Sequence, residues 1–345
     1  GGNLMKEKFY LGTYTKRESK GVYSVILNKE TEQLENLTLE AALENPTYLY
    51  YSKENHLLFA VGKEHKDAGV TANLTLTSPV KRLSSFYDQQ AVPCYIRYNE
   101  RSHDLLTANY HGGFVELYHY DNKNHSISFV DKKVHSGSSI HENQTAPHVH
   151  YTDYTPDEKW IVVCDLGIDT VFTYKRTAEC LEEVAQYKTK AGSGPRHLAF
   201  HPTLPIVYLI CELDATVEVL SYNNENGTFR NLDKIALTTE DQQAWGGAIH
   251  ITRDGRFVYA SNRGFDVLYT FSVDASSGLL TLVQTINSCG SVPRDFHLSN
   301  DEAYVVVGHQ ESDNLTLFKR DLETGELTLL QKDFYAPEVV CVVPQ

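Results

Sequence analysis

Charged and titratable residues recur beside short apolar runs in this sequence. His148 and Arg196 each follow a proline at the start of such a run, and Glu212 and Arg263 come where later runs end. An imidazole changes its charge near neutral pH, and a guanidinium group binds anionic oxygens. If the fold brings these side chains together, they could transfer a proton beside a bound anion.

The segments that carry these residues belong to one repeated pattern. Each copy has a Pro or Gly, a short apolar strand, a polar turn, a second apolar strand and then two alternating strands. Seven copies begin at Pro46, Pro93, Pro147, Pro195, Gly247, Pro293 and Pro337. A period of about 50 residues is typical of long-bladed propellers. The sequence therefore predicts an all-β, seven-bladed β-propeller with four antiparallel strands per blade.

The two ends of the chain are expected to share one blade. The last copy stops after its first strand, and the chain begins with two strand-like runs, FYLGTYT and GVYSVIL. We predict that residues 338–344 pair with residues 8–15, which closes the ring and leaves only short, protected edges. We expect a single domain over residues 6–345, and residues 1–4, which precede Met5, to be a remnant of the expression vector.

Blade geometry places two sets of positions at one mouth of the central channel, because the start of a first strand and the end of a second strand lie on the same face. The strand starts are Thr47, Cys94, His148, Arg196, Ala248, Arg294 and Glu338. The strand ends are Asn109, Asp165, Glu212, Asn262 with Arg263, and His309 with Gln310. Desolvated charges need partners, so these groups either pair between blades as a structural feature or form a functional site. A lone histidine is commonly a hydrogen-bonding residue, but the charged neighbours of His148 favour a site.

Composition and charge limit the class of partner. The 345 residues include 31 Lys+Arg and 45 Asp+Glu, for a formal net charge of -14. Nucleic acid and anionic membranes would repel such a surface, and an anionic ligand would need a local basic pocket. No apolar run is long enough for a membrane helix, and no signal-peptide core is present. The six cysteines have no CxxC spacing, so we expect a cytoplasmic protein with reduced thiols, as a monomer or a weak homo-oligomer.

A histidine-rich loop, residues 134–146, raises the question of a metal. It places His135 and His141 before the pair His148 and His150. Their spacing fits no common zinc signature. The sequence also lacks a glycine-rich phosphate loop and a GxSxG elbow, and its two tryptophans are too few to dock a quinone. We expect neither a metal nor an organic cofactor.

Four segments resemble the seven-bladed lactonase family, which contains bacterial propeller-type 6-phosphogluconolactonases and fungal carboxy-cis,cis-muconate cyclases. The segments are GSGPRHLAFHP (192–202), CEL (211–213), GGAIHITRDGRFVYASNRG (246–264) and PRDFHLSNDEAYVVV (293–307). The resemblance runs from about Phe9 to the C-terminus and implies the propeller fold. It also implies a catalytic set of His148, Arg196, Glu212 and Arg263. We expect substrate-binding roles for Arg294, His197, Asp165, Asn262 and His309.

The activity that this resemblance implies is metal-free hydrolysis of a sugar lactone. The expected reaction converts 6-phospho-D-glucono-1,5-lactone to 6-phosphogluconate, in the pentose phosphate pathway. Lactone hydrolysis needs a base for water and a positive group beside the developing oxyanion. Either His148 or Glu212 would be the base, and Arg196 would face the oxyanion. Arg263 and Arg294 would bind the phosphate.

Two alternatives remain open. A muconolactone-type cycloisomerase or lactonase would use the same residues but recognise carboxylates, and the loop 134–146 departs from the family where it could reshape the mouth. A non-catalytic propeller that binds a partner through its face is also compatible with the fold. Convergence of His148, Arg196, Glu212 and Arg263 on one mouth favours an enzyme.

Overall fold

Seven four-stranded antiparallel sheets form a ring in the computed structural model, which describes residues 4–238 and 244–345. The predicted seven-bladed β-propeller is confirmed. Of the residues predicted to be a vector remnant, 1–3 lie outside the described residues. No helix in the described ranges is long and apolar enough to cross a membrane.

The strands follow the predicted order within each blade, from the channel outward. Blade I contains β28 (Val339–Pro344), β1 (Lys6–Thr13), β2 (Gly21–Asn28) and β3 (Gln33–Ala42). Blade II contains β4 (Leu49–Ser52), β5 (Leu57–Glu64), β6 (Asp67–Leu74) and β7 (Lys81–Gln89). Blade III contains β8 (Tyr95–Tyr98), β9 (Asp104–Asn109), β10 (Phe114–Asp121) and β11 (Ser126–Val134). Blade IV contains β12 (Val149–Tyr154), β13 (Ile161–Asp165), β14 (Thr170–Arg176) and β15 (Leu181–Lys188), with a short 3₁₀ turn at Leu166–Ile168.

The remaining three blades have the same organisation. Blade V contains β16 (Pro195–Phe200), β17 (Ile206–Cys211), β18 (Thr216–Asn223) and β19 (Thr228–Ala236). Blade VI contains β20 (Gly246–Ile251), β21 (Phe257–Asn262), β22 (Val267–Val273) and β23 (Leu280–Asn287). Blade VII contains β24 (Asp295–Leu298), β25 (Tyr304–Gly308), β26 (Asn314–Arg320) and β27 (Leu327–Tyr335).

The two ends of the chain close the ring in blade I, as predicted. Strand β28 pairs antiparallel with β1, from Phe9 opposite Pro344 to Thr13 opposite Val339. Beyond the strand, the N–H of Tyr14 donates to the carbonyl of Glu338 at 3.1 Å. The residue after β1 is therefore tied to the start of β28, at the end of the channel where the polar residues were predicted to converge.

Burial changes from the inner to the outer strands of a blade. Every residue of β9, β13 and β17 is buried, and most of these residues are apolar. In the outer strand β15 only Leu181 is buried, and the other residues are exposed or partly buried. The core therefore lies between the blades around the channel and gives the first and second strands a rigid frame.

The outer edges of the blades are interrupted by β-bulges. The register shifts between Thr173 and Tyr174 where β14 pairs with β15, and between Val219 and Leu220 where β18 pairs with β19. Comparable shifts occur in the outer pair of every other blade. Bulges of this kind twist an edge strand and disfavour edge-to-edge association.

Candidate active site

One mouth of the channel opens into a cavity of about 550 Å³, to which all seven blades contribute. Its titratable lining residues are Tyr14, Lys16, Glu44, Lys63, Cys94, Tyr110, His111, His150, Glu212, Arg263 and Arg294. Glu212, Arg263 and Arg294 thus lie together as predicted. Arg196 lies directly beneath, in the small void that His150 and Arg294 also border.

Bulges in two first strands select which side chains occupy the inner end of this cavity. In blade V, Pro195 pairs with Cys211 and His197 with Ile210, so Arg196 is the extra residue. In blade IV the extra residue is His150, because its two neighbours pair with consecutive residues of β13. A bulge of this type re-aims a side chain, and such bulges are enriched near active sites. His150 is therefore the structural counterpart of Arg196.

The residue after the second strand lines the cavity in four blades, as Tyr14, Tyr110, Glu212 and Arg263. Asn109 and Asn262 precede two of them. Each asparagine Oδ1 accepts a backbone N–H from the following turn, at 2.8 and 2.9 Å. These Asx turns hold the chain so that the next residue lies at the mouth.

One carboxylate joins two arginines at the inner end of the cavity. Glu212 Oε1 lies 3.1 Å from Arg196 Nε and 2.5 Å from Arg263 Nη2. Arg196, which is only 2% exposed, also donates to the carbonyl of Gly247 at 2.8 Å. Burial opposes ionisation of Glu212, but the positive charges of Arg263, Arg196 and Arg294 keep its pKa below the usual value. Burial and the charge of Arg263 lower the pKa of Arg196 to about 10, so both groups are charged at neutral pH.

Arg294 differs from the other two arginines because its hydrogen-bond partners are neutral. Its Nη1 donates to Tyr14 Oη at 2.9 Å and to Gln310 Oε1 at 3.3 Å. Its guanidinium carbon lies 5.2 Å from the centroid of the Tyr14 ring, and Lys16 Nζ lies 4.1 Å from the same centroid. Among the described residues, neither Arg294 nor Lys16 has a carboxylate within ion-pair distance. Two cations without an ion-paired carboxylate therefore lie against one tyrosine ring.

The two histidines of blade IV occupy different environments. His150 lines the cavity, and its buried Nδ1 has no hydrogen-bond partner among the described residues. Burial, followed by the charges of Arg196 and Arg294, lowers the pKa of His150 well below the histidine value, so the ring is neutral. His148 stacks on Tyr110 at 4.0 Å and contacts its carbonyl through Nδ1 at 2.7 Å. His148 is not among the residues that line the cavity.

Asp165 and Asn262, which we predicted as substrate-binding residues, are committed to the backbone and also lie outside the lining. Asp165 Oδ1 accepts the N–H of His148 at 2.7 Å and of Gly167 at 3.0 Å, while Oδ2 lies 2.7 Å from His135 Nδ1. Asn262 holds the turn before Arg263. Asn262 thus positions the lining residue Arg263, whereas Asp165 holds His148 and His135, which lie outside the lining. A direct role of either residue with substrate stays a prediction.

His197 and His309 are buried away from the cavity wall. The ring of His197 lies 5.2 Å from that of His150, beneath the cavity, and its Nε2 has no partner among the described residues. His309 contacts the carbonyl of Asn314 through Nδ1 and Ser288 Oγ through Nε2, both at 3.0 Å. Burial lowers the pKa of His309 to about 4, so this histidine is neutral at physiological pH.

The histidine-rich loop makes separate contacts instead of one cluster. His135 bridges Asp165 and the hydroxyl of Tyr174, and the ring of His141 lies 5.8 Å from that of Trp245. Within residues 4–238 and 244–345, no group of three or more His, Cys, Asp or Glu side chains could hold a metal ion. All six cysteines are free thiols.

The cavity is locally basic in an acidic protein. The lining contains the cations Lys16, Lys63, Arg263 and Arg294 and the carboxylates Glu44 and Glu212. Charged side chains do pair between blades here, as expected if they formed only a structural feature. However, the single carboxylate of Glu212 is paired with both Arg196 and Arg263. The positive excess suits an anionic ligand.

Sequence reasoning missed several lining residues. Tyr110 could have been found, because it follows Asn109 as Arg263 follows Asn262. Tyr14 could have been found in the same way, because it directly follows β1, the second strand of the closing blade. Lys16 gave no such signal, since it lies further along the loop after that strand.

The comparisons with known proteins agree with one another on the fold and on the family of this chain. The model of the family described as lactonase, 7-bladed beta-propeller, matches residues 8–344. An uncharacterized protein of Lactococcus lactis is 43% identical over 343 residues, which cover 99% of this chain and 100% of that protein. The 6-phosphogluconolactonase of Bacillus subtilis is 38% identical over 339 residues, covering 96% of this chain and 97% of the relative.

Among solved structures, the periplasmic gluconolactonase of Pseudomonas aeruginosa has a TM-score of 0.91 to this chain at 28% identity. The match covers 98% of this chain and 99% of that structure. The names of these two relatives thus refer to a phosphorylated and to an unphosphorylated sugar lactone.

Proposed function

The chain belongs to the seven-bladed β-propeller lactonase family, and from that premise we propose that this lactonase hydrolyses 6-phospho-D-glucono-1,5-lactone to 6-phosphogluconate. The substrate assignment rests on the basic cavity, in which Arg294 and Lys16 have no carboxylate partner among the described residues. A phosphate dianion would offset both charges, and guanidinium groups bind phosphate through paired hydrogen bonds. The named activity of the Bacillus subtilis relative supports the same substrate.

The reacting carbonyl is assigned to the inner end of the cavity. Water attacks the lactone carbonyl carbon, the base takes one water proton, and negative charge develops on the carbonyl oxygen. Arg263 is the better-placed partner for that oxygen, because it lines the cavity and its Nε has no partner among the described residues. Arg196, predicted for this role, supports the site by holding Glu212 from below.

His150 is proposed as the base in place of His148. Its neutral ring borders the cavity beside Glu212 and the arginines, whereas His148 is stacked on Tyr110 outside the lining. Glu212 is the alternative base, but its two ion pairs stabilise the carboxylate and weaken its attraction for a proton.

A pH-stat assay with freshly prepared lactones tests the substrate assignment. The phosphorylated lactone should have the larger kcat/KM when compared with D-glucono-1,5-lactone and with muconolactone. A pH of about 6.5, near the ordinary pKa of histidine, keeps spontaneous hydrolysis low. Preference for muconolactone or for the unphosphorylated sugar would refute the phosphate assignment, and no turnover of any lactone would refute the proposed reaction.

The Arg294→Ala variant should bind phosphorylated ligands more weakly. A hydrogen bond to a charged group contributes about 1.5–3 kcal/mol, so the Kd of 6-phosphogluconate should rise by about tenfold or more. Isothermal titration calorimetry measures this change. Arg101→Ala is the matched control, because the Arg101 side chain pairs with Glu158 and lies outside the cavity lining. An equal effect of both substitutions would point to long-range electrostatics and not to a phosphate contact.

A further inference from the structure

Tyr14 occupies a particular place in the cavity wall. It follows β1 directly, its N–H donates to the carbonyl of Glu338 just before the closing strand, and its ring lies close to both Arg294 and Lys16. The hydroxyl accepts a hydrogen bond from Arg294 Nη1 at 2.9 Å. The proposed base, His150, and Glu212 reach the cavity from blades IV and V.

The hydroxyl hydrogen of Tyr14 is available to a ligand. A guanidinium group has no acceptor atom, so the Arg294 contact uses a lone pair of Tyr14 Oη and leaves its O–H unused. No described residue accepts a hydrogen bond from this hydroxyl. The charge of Arg294 lowers the pKa of Tyr14 and outweighs the opposing effect of burial, and Lys16 adds to the lowering. By contrast, burial raises the pKa of Tyr110, the other lining tyrosine, to about 12.

The proposed reaction must deliver a proton to the leaving oxygen as well as remove one from water. Attack by water forms a bond to the carbonyl carbon, and the bond from that carbon to the ring oxygen must then break. The ring oxygen leaves as an alkoxide, which is a poor leaving group unless a proton reaches it as the bond breaks. The ring oxygen can take the proton that the base removed from water, or it can take one from a second group. In the second case that group recovers its proton from the protonated base through solvent, so that both return to their starting states after each turnover.

The substrate itself indicates where this donor must lie. In a 6-phosphorylated 1,5-lactone, the ring oxygen is only a few bonds from the phosphorus. A phosphate held by Arg294 and Lys16 therefore brings the leaving oxygen close to Tyr14, which contacts both cations. We propose that Tyr14 is a catalytic residue that donates its hydroxyl proton to the departing ring oxygen, an inference that rests on the proposed function.

The Tyr14→Phe variant tests this role because it keeps the ring close to both cations and removes only the hydroxyl. We expect kcat for 6-phosphogluconolactone to fall by about 10²-fold, the usual contribution of a positioned proton donor. The Kd of 6-phosphogluconate should change by no more than about threefold, since the phosphate-binding cations remain. Tyr23→Phe is the matched control: Tyr23 lies in the same blade, and its hydroxyl accepts the N–H of Lys20 outside the cavity lining.

Leaving-group dependence provides a readout that a structural role would not change. Dihydrocoumarin, an aryl lactone, expels a phenolate that needs little protonation, so its hydrolysis by Tyr14→Phe should be impaired far less than that of the sugar lactone. Near-normal kcat on the sugar lactone would overturn the assignment. So would equal losses on both lactones, or a rise in Kd that matches the loss in kcat. If the wild-type protein has no lactonase activity, the proposed function is refuted. If the wild type and the Tyr14→Phe variant are equally active, only the role of Tyr14 as proton donor is refuted.

Discussion

Deleting residues 338–345 should leave a chain that does not form the stable ring. Val339, Val340, Cys341 and Val342 are each at most 2% exposed. Burying a side chain of this size contributes about 1.5–3 kcal/mol, so four of them together approach the whole stability of a typical domain. Strand β1 would also become an unpaired edge beside the channel.

The same deletion should disorganise the cavity wall. The carboxylate of Glu338 accepts the backbone N–H groups of Lys16, Arg17 and Ser19, at 3.0–3.1 Å. These bonds shape the segment that presents Tyr14 and Lys16. The closing strand thus connects ring stability to the site.

Thermal unfolding followed by circular dichroism measures the effect. The truncated chain should lose its cooperative transition or melt far below the full-length protein. Deletion of Gln345 alone removes three hydrogen bonds but none of the buried strand, so it should lower the Tm far less. An unchanged Tm after removal of residues 338–345 would contradict the closure.

The fold could be predicted from the sequence because the repeat is redundant. Seven copies of one pattern place the strands, and the incomplete last copy identifies the blade that the two ends share. The predicted pairing of 338–344 with 8–15 agrees with the observed pairing of β28 with β1. Only the strand limits differ, because the register shift next to Thr13 ends the regular ladder.

The inner end of the cavity was less predictable, because a β-bulge leaves no clear mark in a sequence. Aligning the copies by their prolines equates His148 with Arg196. The strand pairing instead equates His150 with Arg196, since β12 begins two residues after Pro147. The same geometry separates Asn262, which caps a turn, from Arg263, which lines the cavity.

Only part of the outer wall could be predicted from the repeat. Tyr14 follows the second strand of blade I, as Tyr110 follows that of blade III. Lys16 lies further along the loop, whose backbone is held by Glu338, more than 300 residues away in sequence. Repeat periodicity gives no information on the path of such a loop.

Replacing His150 with alanine should lower kcat for the lactone by about 10²- to 10⁴-fold, the range expected for loss of a positioned general base. His148→Ala is the matched comparison in the same strand region and should cost less, because His148 stacks on Tyr110 outside the lining. The measurement is the enzyme-dependent rate in a pH-stat after subtraction of spontaneous hydrolysis. A larger loss in His148→Ala would restore His148 as the base, and abolition of activity by Glu212→Gln with near-normal His150→Ala would assign the role to Glu212.

The pH profile separates these possibilities further, because the charges around His150 change when substrate binds. In the free protein, burial and then Arg196, Arg294 and Arg263 hold the pKa of His150 well below the histidine value. The acid limb of kcat/KM, which reports the free enzyme, should therefore lie well below pH 6.5. A bound phosphate dianion offsets part of the arginine charge and favours the protonated ring, so the acid limb of kcat should lie at higher pH than that of kcat/KM. The unphosphorylated lactone brings no such charge, so with this substrate the acid limbs of kcat and kcat/KM should lie closer together. If the two acid limbs coincide for both substrates, the pKa of the base does not respond to the phosphate, and this prediction is wrong.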